Sequence, residues 1–246
     1  MKDYREIIYG SYISNGFGSV HGDEKKYNMQ KEYFQKNYLQ HGILAKNKNV
    51  KVCDLGCGCG EFVRCLEESG YKNVVGIDTS PENIEFCKGY ELRNAKFECS
   101  TIKEYLESVD DNCYDAFIFN DVIEHLHKQE IVEILQLMLK KLKKGGYVYI
   151  KTPNMANPFV NTAGRYIDFT HEIGFTENSM RQVLNAVGFR NIKILGTDIY
   201  VLNPIVSCVA KIVSKLINGF LQIFSLLYGR QTIKIFEKDI LAIAKK

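Results

Sequence analysis

The sequence predicts an α/β protein built on an open, mostly parallel sheet. Three observations predict it. From residue 49 onward, short runs rich in Val, Ile, Phe and Tyr alternate with segments of helical periodicity. The run Tyr114 to Phe119 is almost continuously apolar, as a strand covered on both faces requires. A glycine-rich turn, Gly56-Cys57-Gly58-Cys59-Gly60, joins the first apolar run to the first helical segment. In open α/β sheets such turns line the ligand crevice.

The elements follow in order. Residues 1–48 are polar and aromatic and read as an N-terminal helical cap. Within it, Lys26 to Leu44 forms an amphipathic helix with Tyr27, Phe34, Tyr38 and Leu39 as buried positions. Residues 49–246 read as the main domain. Strands are expected near 50–55, 73–78, 95–99, 114–120 and 146–151, and helices near 60–69, 81–90, 102–108, 128–143 and 177–187. Pro81 marks the first turn of its helix. Lys140, Lys141, Lys143 and Lys144 cluster at a helix C-terminus, where cations complement the dipole. Gly145-Gly146 is expected to end that helix, and Gly188 the next, before a strand at 190–196. Asp239 to Ala244 supplies the closing strand.

An insertion over residues 203–228 precedes that last strand. Ile205, Val209, Ile212, Leu216, Phe220, Ile223 and Leu227 recur at steps of three and four, giving one amphipathic helix or two broken near Gly219. Lys211, Lys215, Asn218 and Gln222 leave apolar runs too short for a transmembrane span. Core or homodimer packing is the first expectation for this stripe. A peripheral membrane contact, or a roof over the acceptor pocket, is the alternative.

At 246 residues the chain reads as one large domain. A net charge of +3 is too small to argue for a nucleic-acid partner. The eight cysteines form no C-x-x-C pair, so zinc-finger spacing is missing. Scattered cysteines and a polar start, Met1-Lys2-Asp3-Tyr4-Arg5, point to reduced thiols and a cytoplasmic location.

The glycine turn excludes two ligand classes by its spacing. It is not the G-x-G-x-x-G of dinucleotide sites, and the G-K-[ST] of a phosphate loop is absent. Asp78 ends the following strand, near the roughly 20-residue distance of a ribose-binding carboxylate. The pattern Asp54-Leu55-Gly56-Cys57-Gly58-x-Gly60, followed by Gly76-Ile77-Asp78-x-Ser80, resembles the first two motifs of class I S-adenosylmethionine-dependent methyltransferases. The resemblance covers most of residues 50–195. It implies a Rossmann-like sheet of seven strands, the last antiparallel, with helices on both faces.

It also implies a set of cofactor residues. Backbone at Gly56, Cys57, Gly58 and Gly60 would approach the amino acid end of S-adenosylmethionine, and Asp54 would receive its ammonium. Asp78, with Thr79 beside it, would take the ribose hydroxyls. Ser100, Thr101 and Ile102 would border the adenine; helix capping is the competing role for Ser100 and Thr101. Asn120 would sit near the methionine end.

A second constellation lies farther on. Asp121, Glu124 and His125 stand at i, i+3 and i+4, and Asp168-Phe169-Thr170-His171-Glu172 follows the fifth strand. These segments resemble ubiquinone-pathway and small-RNA O-methyltransferases. By that resemblance Asp121, Glu124, His125 and His171 would hold a divalent metal near the acceptor hydroxyl. Asp121 stands where those relatives have the longer Glu. Without a metal, Glu124, His125 and His171 would form a polar catalytic centre; a purely structural role is the third reading. Asn154 and the Arg165-Tyr166 pair are expected to face the acceptor, Arg165 as a bidentate clamp or as a plain surface ion pair.

Together these motifs resemble methyltransferases of bacterial surface-polysaccharide and capsule pathways. That resemblance implies a small-molecule or glycan-precursor acceptor, methylated on a sugar hydroxyl or on a phosphate- or phosphoramidate-type oxygen. A lipid-quinone O-methyltransferase is the alternative, and a catalytically silent cofactor-binding partner subunit is the alternative of a different class.

Overall fold

The computed structural model describes residues 4–9, 23–159, 161–199, 203–229 and 233–246. Residues 1–3 and 10–22 of the expected N-terminal cap lie outside the described residues. Seven strands form one sheet in the order β3-β2-β1-β4-β5-β7-β6. They are β1 (Lys51–Leu55), β2 (Asn73–Asp78), β3 (Ala95–Cys99), β4 (Tyr114–Asn120), β5 (Leu142–Pro153), β6 (Arg190–Gly196) and β7 (Asp239–Lys245). β7 runs antiparallel to both β5 and β6, while the pairings among β1 to β5 are parallel. This is the Rossmann-like arrangement expected. Strand order reverses between β1 and β4, which opens the ligand crevice beyond their carboxyl ends.

Two cores, one on each sheet face, account for the strand sequences. Along β4, Phe117 and Phe119 enter one core, and Ala116 and Ile118 the other. The first core is closed by α5 (Ile102–Ser108), α6 (Lys128–Lys141) and α8 (Glu177–Val187), through Leu106, Leu135, Met138 and Leu184. The second is closed by α3 (Glu61–Glu68) and α4 (Pro81–Lys88), through Phe62, Val63 and Ile84. The helix α2 (Glu24–Asn37) ends at Tyr38, earlier than the sequence suggests, and the following turn buries Tyr38 and Leu44 in that same core.

Two boundaries differ from expectation. α6 stops at Lys141, before the glycines, because Leu142 is already extended and pairs with Tyr114. A register shift between Tyr114 and Ala116 absorbs the extra residues. Lys141 is buried and donates to Val109 O at 2.7 Å, and Lys246 reaches Lys140 O and Leu142 O. Lys246 thus satisfies carbonyls at the end of α6, and Lys141 one at the end of α5.

The insertion is one unbroken helix, α9 (Pro204–Leu227), capped by Asn203 on Ile205 N–H at 3.0 Å. Its stripe does not enter the core. Phe220, Leu216 and Leu227 are exposed, and Ser207, Asn218 and Ser225 are buried instead. Residues 205–227 are long and apolar enough to cross a membrane by length and composition. Their polar residues are spaced too widely to lower the average below that level, contrary to the sequence reading.

All eight cysteines are free thiols. Cys53, Cys57, Cys59, Cys65 and Cys87 are buried, Cys113 is half-buried, and Cys99 and Cys208 are exposed. Burial pushes the Cys65 thiol up to about 11 and the Cys59 thiol up to about 12.

Candidate active site

The turn after β1 is held open by its backbone. Gly56 and Cys57 N–H donate to Ile77 O at 2.7 and 2.8 Å, fixing the turn against β2. Gly56 has φ +79°, and a Cβ there would lie 2.4 Å from Val122 Cγ2. Gly58 has φ +53°, yet a Cβ there would meet nothing within 4 Å. The wall is therefore tight under Gly56 and open above Gly58. Asp78 accepts from Gly58 N–H at 2.9 Å, Ser80 N–H at 2.9 Å and Asn83 Nδ2 at 3.1 Å. Asp54 is 2% exposed, and its Oδ1 has no hydrogen-bond partner. Burial, then the charge of Asp78, pushes its carboxyl up to about 8. A buried acceptor without a donor is costly unless a ligand supplies one.

At the end of β4, Asn120 Oδ1 accepts from the Tyr38 hydroxyl at 2.7 Å. The chain then turns through Asp121, at φ +52°, into a short 3-10 turn, Ile123–His125. The loop carrying His171 is stitched to that turn: Glu172 and Ile173 N–H both donate to Glu124 O, at 2.7 and 3.1 Å. One oxygen of Glu124 and one nitrogen each of His125 and His171 come within 4.8 Å of one another. The imidazole centroids are 4.6 Å apart.

Hydrogen bonds assign both tautomers. His171 Nδ1 lies 2.8 Å from Gly164 O, an acceptor only, so Nδ1 carries the hydrogen. His125 Nδ1 lies 2.8 Å from Thr170 Oγ1, which donates its own hydrogen to Asp168 Oδ1 at 2.7 Å. Burial works against the Asp168 charge, but the Thr170 hydrogen bonds hold its carboxyl below the usual range. Thr170 therefore accepts from His125, and with both Nδ1 atoms occupied each ring turns Nε2 toward any ligand. Burial, then His171, pushes His125 down to about 4, so it is neutral at pH 7. Burial, then Asp121, raises the Glu124 carboxyl well above its ordinary value; Thr152 Oγ1 donates to it at 3.1 Å.

Several expected residues are occupied elsewhere. Asp121 is exposed and paired with Lys151 at 2.5 Å, outside the three-residue cluster. Asn154 is fully buried; its side chain donates to Ile235 O and Glu237 O and accepts from Ala156 N–H, so it ties β5 to the segment before β7. Arg165 spends its guanidinium on the carbonyls of His171 and Glu172, bracing the loop rather than clamping a substrate. Tyr166 is 76% exposed and turns outward. The Cys57 side chain packs into the core, leaving only its backbone at the crevice. Thr101 caps α5 in a reciprocal pair with Glu104, whereas Ser100 Oγ donates to Thr101 O and caps nothing. Thr79 is exposed and Ile102 is half-buried.

A methyltransferase domain family model matches residues 46–193, more than half of the chain. The chain belongs to the methyltransferase domain family. Ubiquinone biosynthesis O-methyltransferases are among the similar curated proteins. The mitochondrial enzyme of Rattus norvegicus is 30% identical over 43% of this chain and 31% of its own length. That of Rickettsia typhi is 28% identical over 63% of this chain and 60% of its own length. The chain thus spans less than two thirds of these relatives. A SAM-dependent methyltransferase from Archaeoglobus fulgidus shares the fold at a TM-score of 0.67 and 24% identity, covering 96% of this chain and 100% of that one. Magnesium protoporphyrin IX methyltransferase from Synechocystis, solved with bound SAM, aligns at a TM-score of 0.61 and 16% identity over 100% of this chain and 98% of that one.

This methyltransferase crevice fits S-adenosylmethionine by its own chemistry. The orphaned Asp54 oxygen suits an ammonium, the open space over Gly58 suits a ligand backbone, and Asp78 keeps spare acceptor capacity. The Glu124, His125 and His171 donors likewise fit a divalent cation such as iron, zinc or manganese.

The structure adds residues that the sequence did not single out. Tyr9 in α1 (Tyr4–Tyr9) sets its ring 6.3 Å from His125, Tyr4 donates to Glu172, and Arg5 holds Glu130 bidentately at 2.8 and 3.0 Å. Residues 4–9 therefore pack beside His125 and the loop that carries His171. Their signal was the tyrosine density of the N-terminal segment; Thr170 stood inside a quoted motif with no role assigned.

Proposed function

We propose that this methyltransferase transfers a methyl group from S-adenosylmethionine to a hydroxyl oxygen, with Glu124, His125 and His171 gathered at the acceptor. The single observation that carries the reading is the pair of Nε2 lone pairs, fixed by Thr170 and Gly164, beside a buried carboxyl just beyond β4. The bound sulfonium would supply the electrophilic methyl carbon. A hydroxyl oxygen attacks that carbon only as its proton is lost or weakened. Neutral His125 accepts the proton at Nε2 while its Nδ1–H stays on Thr170, and Asp168 behind Thr170 offsets the new positive charge. In the alternative form of the centre, the same Nε2 atoms and Glu124 would instead hold a divalent ion that lowers the pKa of a hydroxyl placed there, and His125 then takes no proton. The Tyr9 ring packs edge-on beside His125.

For the acceptor, the named relatives favour the lipid-quinone alternative over a sugar or phosphoramidate oxygen, because the curated matches bear ubiquinone-pathway names. Incubation with methyl-labelled cofactor tests this. Label entering a catechol-bearing quinone precursor supports the reading. Label entering only sugar nucleotides or capsule precursors overturns the acceptor class, and no transfer to any hydroxyl overturns the reaction.

A further inference from the structure

The helix α9 is turned opposite to the usual orientation in a water-soluble domain. At about 100° per residue, its exposed large apolar side chains fall within an arc of roughly 160°. Ile205, Leu216, Phe220 and Leu227 on that arc are 66–81% exposed. The side facing the domain carries Ser207, Asn218 and Ser225, all buried. Only 11% of the most apolar window is covered. An apolar surface of this extent is a contact surface.

The chemistry of the helix identifies what covers it. α9 contains Lys211 and Lys215 and no acidic residue. Lys215 is exposed and lies beside the apolar arc, where its ammonium reaches lipid phosphates while the stripe enters the acyl boundary, whereas Lys211 is half-buried nearer the domain-facing side. Phe220, Phe224 and Tyr228 stack along the outer side at centroid spacings of 6.3 and 5.5 Å, an aromatic ladder suited to the headgroup layer. The helix lies along the domain rather than leaving it. Thr197 N–H, before α9, donates to Asp239 O, after it, at 3.1 Å. Gln222 Nε2 donates to Lys234 O at 2.7 Å, so the returning segment passes back along the helix. Register places this insertion at the sheet end that bears the candidate active site, since Pro153 pairs with Asp239 and Gly196 with Ile240. At that end the loop before His171 exposes Ile167 and Phe169 by 79% and 83%.

We propose that the outward face of α9 docks the protein on an anionic lipid bilayer, lying in the headgroup layer without crossing it. The surface is tested with the full chain and vesicles of phosphatidylcholine, with and without phosphatidylglycerol. Co-sedimentation is expected to rise on the order of tenfold when the anionic lipid is present, and to fall again at high salt or in Lys215→Glu. The double variant Phe220→Ser, Phe224→Ser is expected to stay in the supernatant while keeping its circular dichroism and cofactor affinity, both residues being exposed. Absence of binding to either vesicle overturns the proposal, as does equal binding to both. A dimer in light scattering that the double variant converts to a monomer, without vesicle binding, assigns the face to a second copy instead. The assay uses neither cofactor nor acceptor, so its failure leaves the proposed reaction untouched.

Discussion

Thr170 holds His125 in a single tautomer: its hydroxyl lies 2.8 Å from Nδ1 and donates onward to Asp168. The side chain behind the imidazole therefore decides which nitrogen faces the acceptor. Thr170→Val removes the acceptor for Nδ1–H and is expected to lower turnover by about 10–100-fold, the usual loss for a partner that orients an imidazole. Thr170→Ser keeps the hydroxyl and should restore most of the rate. Nitrogen NMR of His125 checks the cause. An unchanged tautomer in Thr170→Val, with unchanged turnover, removes Thr170 from the mechanism.

Replacing His125 or His171 with Ala is expected to cut turnover by at least about a hundredfold, the low end for a lost proton acceptor. Cofactor affinity should stay nearly constant, because Asp54, the glycine turn and Asp78 are untouched. Chelator treatment separates two mechanisms. Activity lost to chelator and restored by a divalent ion assigns the trio to a metal; full activity in chelator leaves His125 as the base.

Asp54 couples cofactor binding to pH. Its carboxyl, pushed up to about 8, is protonated at neutral pH, whereas an ammonium pairs with the ionised form. Affinity is expected to strengthen by up to about tenfold per pH unit on approaching pH 8 from below. The sign for folding is opposite. The folded value lies above the ordinary carboxyl value of 3.8, so the contribution to stability is full below that value and is lost as pH rises toward about 8. Calorimetry in buffers of different ionisation enthalpy should show proton release on binding, and Asp54→Asn should abolish the pH dependence.

The two glycine positions should fail differently. Gly56→Ala places a methyl 2.4 Å from Val122 at φ +79°, so the protein itself should lose stability, by at least about 1–2 kcal/mol. At Gly58 an added Cβ meets nothing within 4 Å, so Gly58→Val should cost chiefly backbone strain while blocking the cofactor. Asp78→Ala should weaken cofactor binding by roughly 1.5–3 kcal/mol, the scale of hydrogen bonds to a charged group. Thermal melts and titration calorimetry resolve the three.

Most of the sheet was legible because its signals are local. Tyr114 to Phe119 alternates between two cores, so every residue but Asp115 is apolar, and Ser80-Pro81 and Thr101 start helices by capping chemistry carried in adjacent residues. Glu124, His125 and His171 could be nominated from spacing and resemblance, and the structure does bring them together. What stayed hidden depends on contacts between distant residues. Asp121 reads as a ligand until Lys151, its neighbour across the strand ends, is seen to hold it. Asn154 and Arg165 read as substrate contacts because sequence shows a polar group but not the carbonyls waiting for it. The stripe of α9 was plain, but its direction depends on which face meets the domain, and no periodicity encodes that.

The placement of the cysteines gives the protein a built-in reporter. Five thiols are packed away, so a maleimide offered to the native protein finds chiefly Cys99, at the end of β3, and Cys208, on α9. A fluorophore at the first address watches the rim of the crevice, and one at the second watches the polarity around the outward helix. The five silent thiols react only as the cores open, so the count of labels per molecule becomes a clock for global unfolding under the same conditions.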